Sequence, residues 1–139
     1  MKNHIARRRF PVALALLPSL VAAALLAGCS KVPDTLKIGV AQPLTGPLGA
    51  LGQDLLNGVN LAVQELNKDG FMVDGKRVKL EVVSVDDKAD AATGKQVAQQ
   101  LVDAGVVAVI GHLNSGVSIE AAPIYAAKDI AQIAISTNP

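Results

Sequence analysis

The stretch VVAVIGHLNSGVSIEAAPIYAAK, residues 106–128, contains a strand-like run, a loop and a helical pattern in direct succession. Its first six residues are apolar without alternation, which indicates a strand buried on both faces, as in parallel sheets covered by helices. Small polar residues follow at 112–116, and residues 115–128 are predicted to be a helix. Pro123 interrupts this helix unless it lies in a first turn that begins later than residue 115.

The chain on both sides of this stretch repeats the same alternation. Apolar runs of strand type cover residues 36–42, 78–86 and 130–136, and a helical periodicity runs from residue 53 to a stop at Gly70. A second helix is predicted between an Asp90 N-cap and Gly105, and Asp74-Gly75 predicts a tight turn. The predicted fold is α/β: doubly wound, with a mainly parallel sheet, helices on both faces and right-handed crossovers.

The composition favours one globular domain with an aliphatic core. Half of the 139 residues are hydrophobic, with two Phe, one Tyr and no Trp. From residue 29 onward there are nine basic and twelve acidic residues, a balance of −3, and no basic cluster with interleaved aromatic residues. No nucleic-acid partner is therefore expected. With His4 and His112 the only histidines, no metal site is expected either.

The first 28 residues are predicted to be an export signal. A basic region, MKNHIARRRF, precedes an apolar run that ends in small residues. The alternative is a transmembrane anchor, in which Pro18 would remove a backbone donor and kink the helix. Residues 26–29, LAGC, resemble the lipobox of bacterial lipoproteins, and this resemblance implies lipidation of Cys29. Cys29 is the only cysteine, so no intramolecular disulfide is possible; the alternative to lipidation is a buried free thiol.

Three polar loops are predicted at the carboxyl ends of the strands. They contain Thr45-Gly46, residues 112–116 and residues 136–138. Open parallel sheets bind ligands outside the carboxyl ends of their strands, where the strand order reverses. A helix that starts near Ser115 directs its positive end at the loop and favours a carboxylate there. The hydroxyls of Ser115 and Thr137 could donate to that carboxylate or accept from an ammonium group.

Each of these polar residues also has an interpretation that needs no ligand. Ser115 is a good helix N-cap, and Thr137 is an ordinary turn residue. His112 fits a loop histidine with satisfied hydrogen bonds, and Tyr125 fits a helix-packing residue. The pair Asp86-Asp87 suggests a metal or acid–base site, but a solvated turn and cap is the expected environment.

No complete catalytic motif is present. The segment PLTGPLGALG, residues 43–52, lacks both the Gly-Lys-Ser/Thr ending of a P-loop and the Gly-x-Gly-x-x-Gly spacing of dinucleotide-binding proteins. No cysteine follows Cys29, and no serine lies in a nucleophile elbow. A binding module without a cofactor is therefore expected, and an enzyme of doubly wound fold is the competing class.

Three segments carry a family resemblance: LKIGVAQPLTGPLGALGQDLLNGVNLAVQELNKDG, VKLEVVSVDDKADAATGKQVAQQLVDAGVVAVIGHLNSGVSIEAAPIY and IAQIAISTNP. Together they resemble the first lobe of the periplasmic leucine/isoleucine/valine-binding proteins. These have the type I periplasmic-binding fold and deliver branched-chain amino acids to ABC importers. The match runs from about residue 36 to residue 139, and Gly-His-Leu-x-Ser at 111–115 is its most specific motif.

The resemblance implies a set of ligand-binding residues. The loop after the third strand, with Asn114 and Ser115, and Thr137 after the fourth strand would hold the ligand's α-carboxylate and α-ammonium groups. The backbone of Ile135 would lie near the ligand, and Leu51 would lie over its side chain. The implied organisation is a lipoprotein signal peptide at 1–28, a lipidated tether at 29–35 and a partial ligand-binding lobe at 36–139.

Two departures from the family pattern affect these expectations. Members with a first-lobe disulfide have cysteines where this chain has Ala89 and Asn114. The second lobe, which supplies an acidic partner for the ammonium group, is also missing from these 139 residues. We therefore expect a truncated binding protein with weak affinity, because half a site buries too little of the ligand.

The function implied by the resemblance is a lipid-anchored solute-binding protein for leucine, isoleucine, valine or a similar ligand. Its expected partners are an ABC permease and the membrane that holds its lipid, and its expected location is the periplasm. The alternatives are a receptor domain of the same fold that senses amides or small carboxylates, and a fragment that does not bind.

Overall fold

The computed structural model describes residues 31–135, in which six strands and three helices alternate. Their bounds are β1 Thr35–Gln42, α1 Gly49–Asp69, β2 Met72–Val73, β3 Lys76–Arg77, β4 Lys79–Asp86, α2 Ala91–Asp103, β5 Val106–Gly111, α3 Ser115–Ala126 and β6 Ala131–Ile133. The predicted export signal, Cys29 and Thr137 lie outside the described residues.

Four strands form one parallel sheet in the order β4-β1-β5-β6. β1 pairs in parallel with β4 and with β5, and β5 pairs in parallel with β6. The predicted doubly wound topology is thus confirmed. From β1 the chain first crosses to β4 on one side and then to β5 on the other, so the strand order reverses between β1 and β5.

α1 lies on one face of this sheet and α2 and α3 lie on the other, and the side chains of β1 alternate between the two faces. Ile38 faces the apolar residues of α1, whereas Ala41, an odd number of positions along the strand, belongs to the core under α2 and α3. That core is aliphatic apart from one tyrosine. Its fully buried members are Ala41, Ala98, Leu101, Val106, Val109, Ala121 and Tyr125.

α1 begins at Gly49, four residues before the predicted start at residue 53. The amide of Gly49 donates to the Gly46 carbonyl at 3.0 Å, which starts the first turn before the apolar periodicity becomes visible in the sequence. The predicted end is confirmed: Gly70 is left-handed, with φ of 93°, and its amide donates to the Leu66 carbonyl at 2.9 Å.

The second helix, α2, has the predicted cap at each end. The side chain of Asp90 accepts a hydrogen bond from the Thr93 amide at 2.7 Å, and Gly105 after the helix has φ of 73°. The amide and hydroxyl of Thr93 hold the pKa of Asp90 below its usual value, because both stabilise the carboxylate. Asp74 and Gly75, both with positive φ, form the predicted tight turn between β2 and β3.

Pro123 lies inside α3, at the ninth of its twelve residues, so the alternative of a later helix start is wrong. The helix continues through the proline because tertiary burial holds it on both sides. Val117, Ser118 and Ala121 are buried before Pro123, and Tyr125 is buried after it. Packing therefore outweighs the loss of the one backbone donor that proline lacks.

Candidate functional site

The carboxyl ends of the strands bring three loops to one edge of the sheet. Gln42 at the end of β1 is in register with Asp86 at the end of β4, and Ala41 is in register with Gly111 at the end of β5. The loops of residues 43–48, 87–90 and 112–114 therefore meet beside the point where the strand order reverses. This is the edge where open α/β sheets bind ligands.

Asp86 fastens the loop of residues 43–48 to the end of β4. Its Oδ1 accepts from the Leu44 amide at 2.8 Å and from the Lys88 amide at 2.9 Å, and its Oδ2 accepts from the Thr45 hydroxyl at 2.5 Å. Partial burial raises the pKa of Asp86, but the hydrogen bonds from Thr45 and the backbone amides outweigh it and leave the pKa below its usual value. The carboxylate is therefore a loop anchor.

Asp87 points the other way and is fully buried, so the predicted solvated turn is wrong for this residue. Its Oδ2 lies 2.6 Å from Nδ1 of His112, and Nε2 of His112 lies 3.2 Å from the hydroxyl of Tyr125. All three side chains are at most 1% exposed. We call Asp87, His112 and Tyr125 the buried triad.

The sequence predicted His112 as a loop histidine with satisfied hydrogen bonds and Tyr125 as a helix-packing residue. The structure confirms both predictions and shows that the two side chains contact each other. Burial and the nearby charge of Asp87 raise the pKa of Tyr125, so its hydroxyl stays protonated. With no solvent access, the triad has no route to a substrate.

The loop of residues 112–114 leads directly into the N-terminus of α3. Asn114 occupies the N-cap position, but its side chain makes no capping hydrogen bond, and Ser115 is the first helical residue. Capping therefore does not explain the Asn114 side chain. The first turn of an α-helix carries backbone amides without intrahelical partners, and its partial positive charge favours an anion.

Two buried side-chain oxygens within residues 31–135 have no hydrogen-bond partner, and both lie at this edge. They are Oδ1 of Asn114 and Oε1 of Gln42. Buried polar atoms are nearly always paired, so an unpaired acceptor at a strand end calls for a donor from outside the described residues. Gln42 was not predicted from the sequence; its signal was a polar residue directly after the apolar run of residues 38–41 at the end of β1.

The three other predicted ligand-binding residues, Leu51, Ile135 and Thr137, lie in different parts of the chain. Leu51 is in the first turn of α1, directly after the loop of residues 43–48, and is 48% exposed. Ile135 is the last described residue, and its side chain lines an apolar groove on the α1 face of the sheet. Thr137 lies outside the described residues. The structure thus brings Leu51, Asn114 and Ser115 to the same edge of the sheet.

An apolar groove with a volume of about 580 Å³ lies on the α1 face of the sheet. It runs between α1 and the exposed face of β1, β5 and β6, and no polar side chain lines it. A charged or zwitterionic ligand needs polar partners when it leaves water. The polar loops at the strand ends, and not this groove, are therefore the candidate site.

Two further features of the described residues concern metals and membranes. Residues 31–135 contain no group of three or more His, Cys, Asp or Glu side chains arranged to hold a metal ion. The helices in that range are all too short or too polar to cross a membrane.

Comparison with known proteins shows the family of this chain. The family described as "Periplasmic binding protein" matches residues 35–139. The Leu/Ile/Val-binding protein homolog 2 from Brucella abortus (strain 2308) is 46% identical over 103 residues, which cover 73% of this chain and 27% of that protein.

Solved structures show the same relationship. The branched-chain amino acid transporter substrate-binding protein LivJ from Streptococcus pneumoniae, in complex with isoleucine, gives a TM-score of 0.68 at 33% identity over 76% of this chain and 30% of that one. A solute-binding protein of an ABC transporter from Rhodopseudomonas palustris BisB5, in complex with 3,4-dihydroxybenzoic acid, gives 0.64 at 29% identity over 76% and 28%.

The fold and the site at the strand ends define a type I periplasmic-binding fold. The chain belongs to the periplasmic binding protein family, and its relatives include Leu/Ile/Val-binding proteins, in line with the sequence resemblance. It spans 27% of the length of the Brucella relative and corresponds to the N-terminal lobe. The relatives are binding proteins of transporters, a class distinct from enzymes.

Proposed function

We propose that the chain forms the ligand-binding lobe of a lipid-anchored solute-binding protein that delivers a branched-chain amino acid to an ABC permease. One observation carries this proposal. The loop of residues 112–114 lies beside the reversal of strand order, ends at the N-terminus of α3 and contains the unpaired acceptor of Asn114. Such a loop offers positive helix-end charge to a carboxylate and an acceptor to an ammonium group.

The proposed ligand contacts divide by chemistry. Ser115 at the start of α3 and Thr137 after β6 hold the α-carboxylate and α-ammonium groups with their hydroxyls, and the backbone of Ile135 adds a polar contact. Asn114 is proposed to accept from the ammonium group, which requires the loop to turn the buried Oδ1 of Asn114 towards the ligand. Leu51 covers the aliphatic side chain of the ligand, which is consistent with its exposed position in the first turn of α1.

A small aromatic carboxylate is the second candidate ligand. The observation that favours it is the Rhodopseudomonas palustris relative, which was solved with 3,4-dihydroxybenzoic acid. Both ligand classes share a carboxylate, for which the N-terminus of α3 is suited. They differ in the ammonium group, so the contribution of an acceptor such as Asn114 distinguishes them.

The proposed location is the periplasm, with the protein anchored through lipid on Cys29. This part of the proposal is supported by the basic and apolar pattern of residues 1–28 and by the LAGC sequence at 26–29. Two or more acyl chains give stable membrane attachment, whereas one chain gives only marginal binding. Membrane-fraction recovery of the chain and of its Cys29→Ser variant tests the anchor; equal recovery would contradict it.

The experiment for the proposed function is a titration of the chain, followed by calorimetry, with leucine, isoleucine, valine and 3,4-dihydroxybenzoate. We expect weak, saturable binding of one ligand class, and a loss of about tenfold or more in affinity in Ser115→Ala, as for one lost hydrogen bond to a charged group. Ser84→Ala, an exposed serine within β4, is the control. A folded chain that binds none of the four ligands would contradict the proposal and favour a non-binding fragment.

A further inference from the structure

His112 is fixed at three atoms by two other parts of the fold. Nδ1 contacts Asp87 at the end of β4, Nε2 contacts the Tyr125 hydroxyl of α3, and the His112 carbonyl accepts from the Ser118 hydroxyl at 3.1 Å. Only Leu113 and Asn114 separate this anchored residue from the start of α3. The conformation of the loop of residues 112–114 is therefore tied to the position of the His112 ring.

Asp87 is itself held in place by backbone contacts. Its amide donates to the Gln42 carbonyl at 3.0 Å, its Oδ1 accepts from the Ala89 amide at 2.9 Å, and its carbonyl accepts from the Asp90 amide at 3.0 Å. Asp87 thus links the His112 ring to the end of β1, through its amide, and to the residues before α2, through its carboxylate and carbonyl. The loops of residues 87–90 and 112–114 and the end of β1 therefore share this one anchor.

Filling the core alone would not require these side chains. Polar groups are costly to bury unless each is paired, and apolar residues of similar size commonly replace such networks without loss of stability. A fully paired network, in contrast, restricts its members to one geometry. The directional contacts of the buried triad therefore suit a role in setting the loop position.

We propose that Asp87 and Tyr125, acting through the His112 ring, are positioning residues that hold the loop of residues 112–114 and Ser115 in their ligand-binding conformation. This inference rests on the proposed function, because it assigns the triad to the same site. The 2.6 Å contact between Oδ2 of Asp87 and Nδ1 of His112 fits a carboxylate that accepts from an Nδ1 proton, which leaves Nε2 to accept from the Tyr125 hydroxyl.

The test uses Tyr125→Phe, which keeps the buried ring and removes only the hydroxyl, and Asp87→Asn, which keeps the shape and removes the charge. Glu120→Gln is the control, since it removes an exposed ion pair with Lys95 of α2 from the same helix, α3, that carries Tyr125. The readouts are the amide resonances of Leu113, Asn114 and Gly116 and the affinity for isoleucine. We expect shifted loop resonances and about fivefold weaker binding in Tyr125→Phe, with neither in Glu120→Gln.

Unchanged loop resonances and unchanged affinity in a folded Tyr125→Phe would overturn the inference and leave a role in stability only. The nitrogen spectrum of the His112 ring in the unaltered chain is a second measurement that needs no variant. A ring protonated at Nδ1 supports the inference, and a ring protonated at Nε2 or exchanging freely contradicts it. If the unaltered chain binds no ligand, the proposed function fails, while the loop resonances still decide the positioning role.

Discussion

Two consecutive aspartates at the end of β4 serve different loops because side chains alternate across a strand. Asp86 accepts hydrogen bonds from the loop of residues 43–48, and Asp87 accepts from the His112 ring under the other face of the sheet. The pair therefore joins the two loops that flank the reversal of strand order. Both carboxylates are occupied by protein donors, which accounts for the pair without a metal.

Protonation of Asp86 is expected to weaken the fold at low pH. Because its pKa in the folded chain lies below the usual value of 3.8, its stabilising contribution is complete above that value. This contribution is lost as the pH falls through the lower, folded pKa. We expect the free energy of unfolding to fall more steeply between pH about 5 and about 2 in the unaltered chain than in Asp86→Asn.

Urea denaturation across that pH range measures the difference. Asp34 and Asp90 also have lowered pKa values, through the Lys76 side chain and through the Thr93 amide and hydroxyl respectively. Both remain in the variant, so they contribute the same background to the two curves. Parallel curves for the unaltered chain and for Asp86→Asn would show that the carboxylate does not anchor the loop.

Local features of single residues were predictable from the sequence, and the buried triad was not. The Asp90 cap and the Gly70 stop depend on neighbours within four residues, so their sequence context contains the reason for them. The partners in the triad are 25 and 13 residues apart in the chain. Nothing near Asp87 in the sequence shows that a histidine ring will lie against it.

The elements follow their sequence patterns in type but not always in extent. Apolar periodicity identified α1, but the helix starts four residues before the predicted residue 53. The prediction started late because Gly49 and Gly52 have low helix propensity, so the first turn does not look helical in the sequence. The fourth strand was predicted at residues 130–136, and β6 covers only Ala131–Ile133 of the part that is described. The start of α1 depends on the hydrogen bond between Gly49 and Gly46, and the extent of β6 depends on its pairing with β5.

Gly52 is required where α1 passes the loop of residues 43–48. A Cβ atom on Gly52 would lie 2.1 Å from the Pro43 carbonyl oxygen, a backbone atom that moves only with its loop. We expect Gly52→Ala to lower the free energy of unfolding by about 1–3 kcal/mol, as overpacking does. Gly58 of the same helix has open space around its Cα, and Gly58→Ala is expected to raise it by up to about 1 kcal/mol.

Urea denaturation measures the free energy of unfolding of both alanine variants. Both gain helix propensity, so the difference between them reports the close contact of residue 52 with Pro43. The amide resonances of Leu44 and Thr45 report whether the loop moves. A Gly52→Ala variant as stable as Gly58→Ala, with these resonances in place, would refute the close contact as a determinant of the loop position.

At the scale of the whole molecule, the apolar groove on the α1 face leaves apolar side chains in contact with solvent. Val107 and Ile133 line it and remain 45% and 60% exposed, and β6 is an edge strand of the described sheet. Exposed apolar surface beside an unpaired strand edge promotes association.

We expect the chain to associate with itself in a concentration-dependent manner, and Ile133→Lys to reduce this by placing a charge on the edge strand. Ile119→Lys is the control, because Ile119 is similarly exposed on α3 but does not line the groove. Sedimentation velocity over a range of concentrations measures both variants. A monomer at every concentration, or an equal effect of the two substitutions, would argue against the groove as the associating surface.

The strand order also determines when the sheet is completed during synthesis. β1 is the first strand of the sheet to be made, and it lies between β4 and β5. Ile38 of β1 pairs with Ala108 of β5, seventy residues later in the chain. β1 therefore cannot complete its pairing until β5 has been synthesised. The entropy cost of closing this long loop comes before the stabilisation from pairing β1 with β5. The lobe is thus expected to fold late and as one unit, and the ribosome releases most of it before the sheet can form.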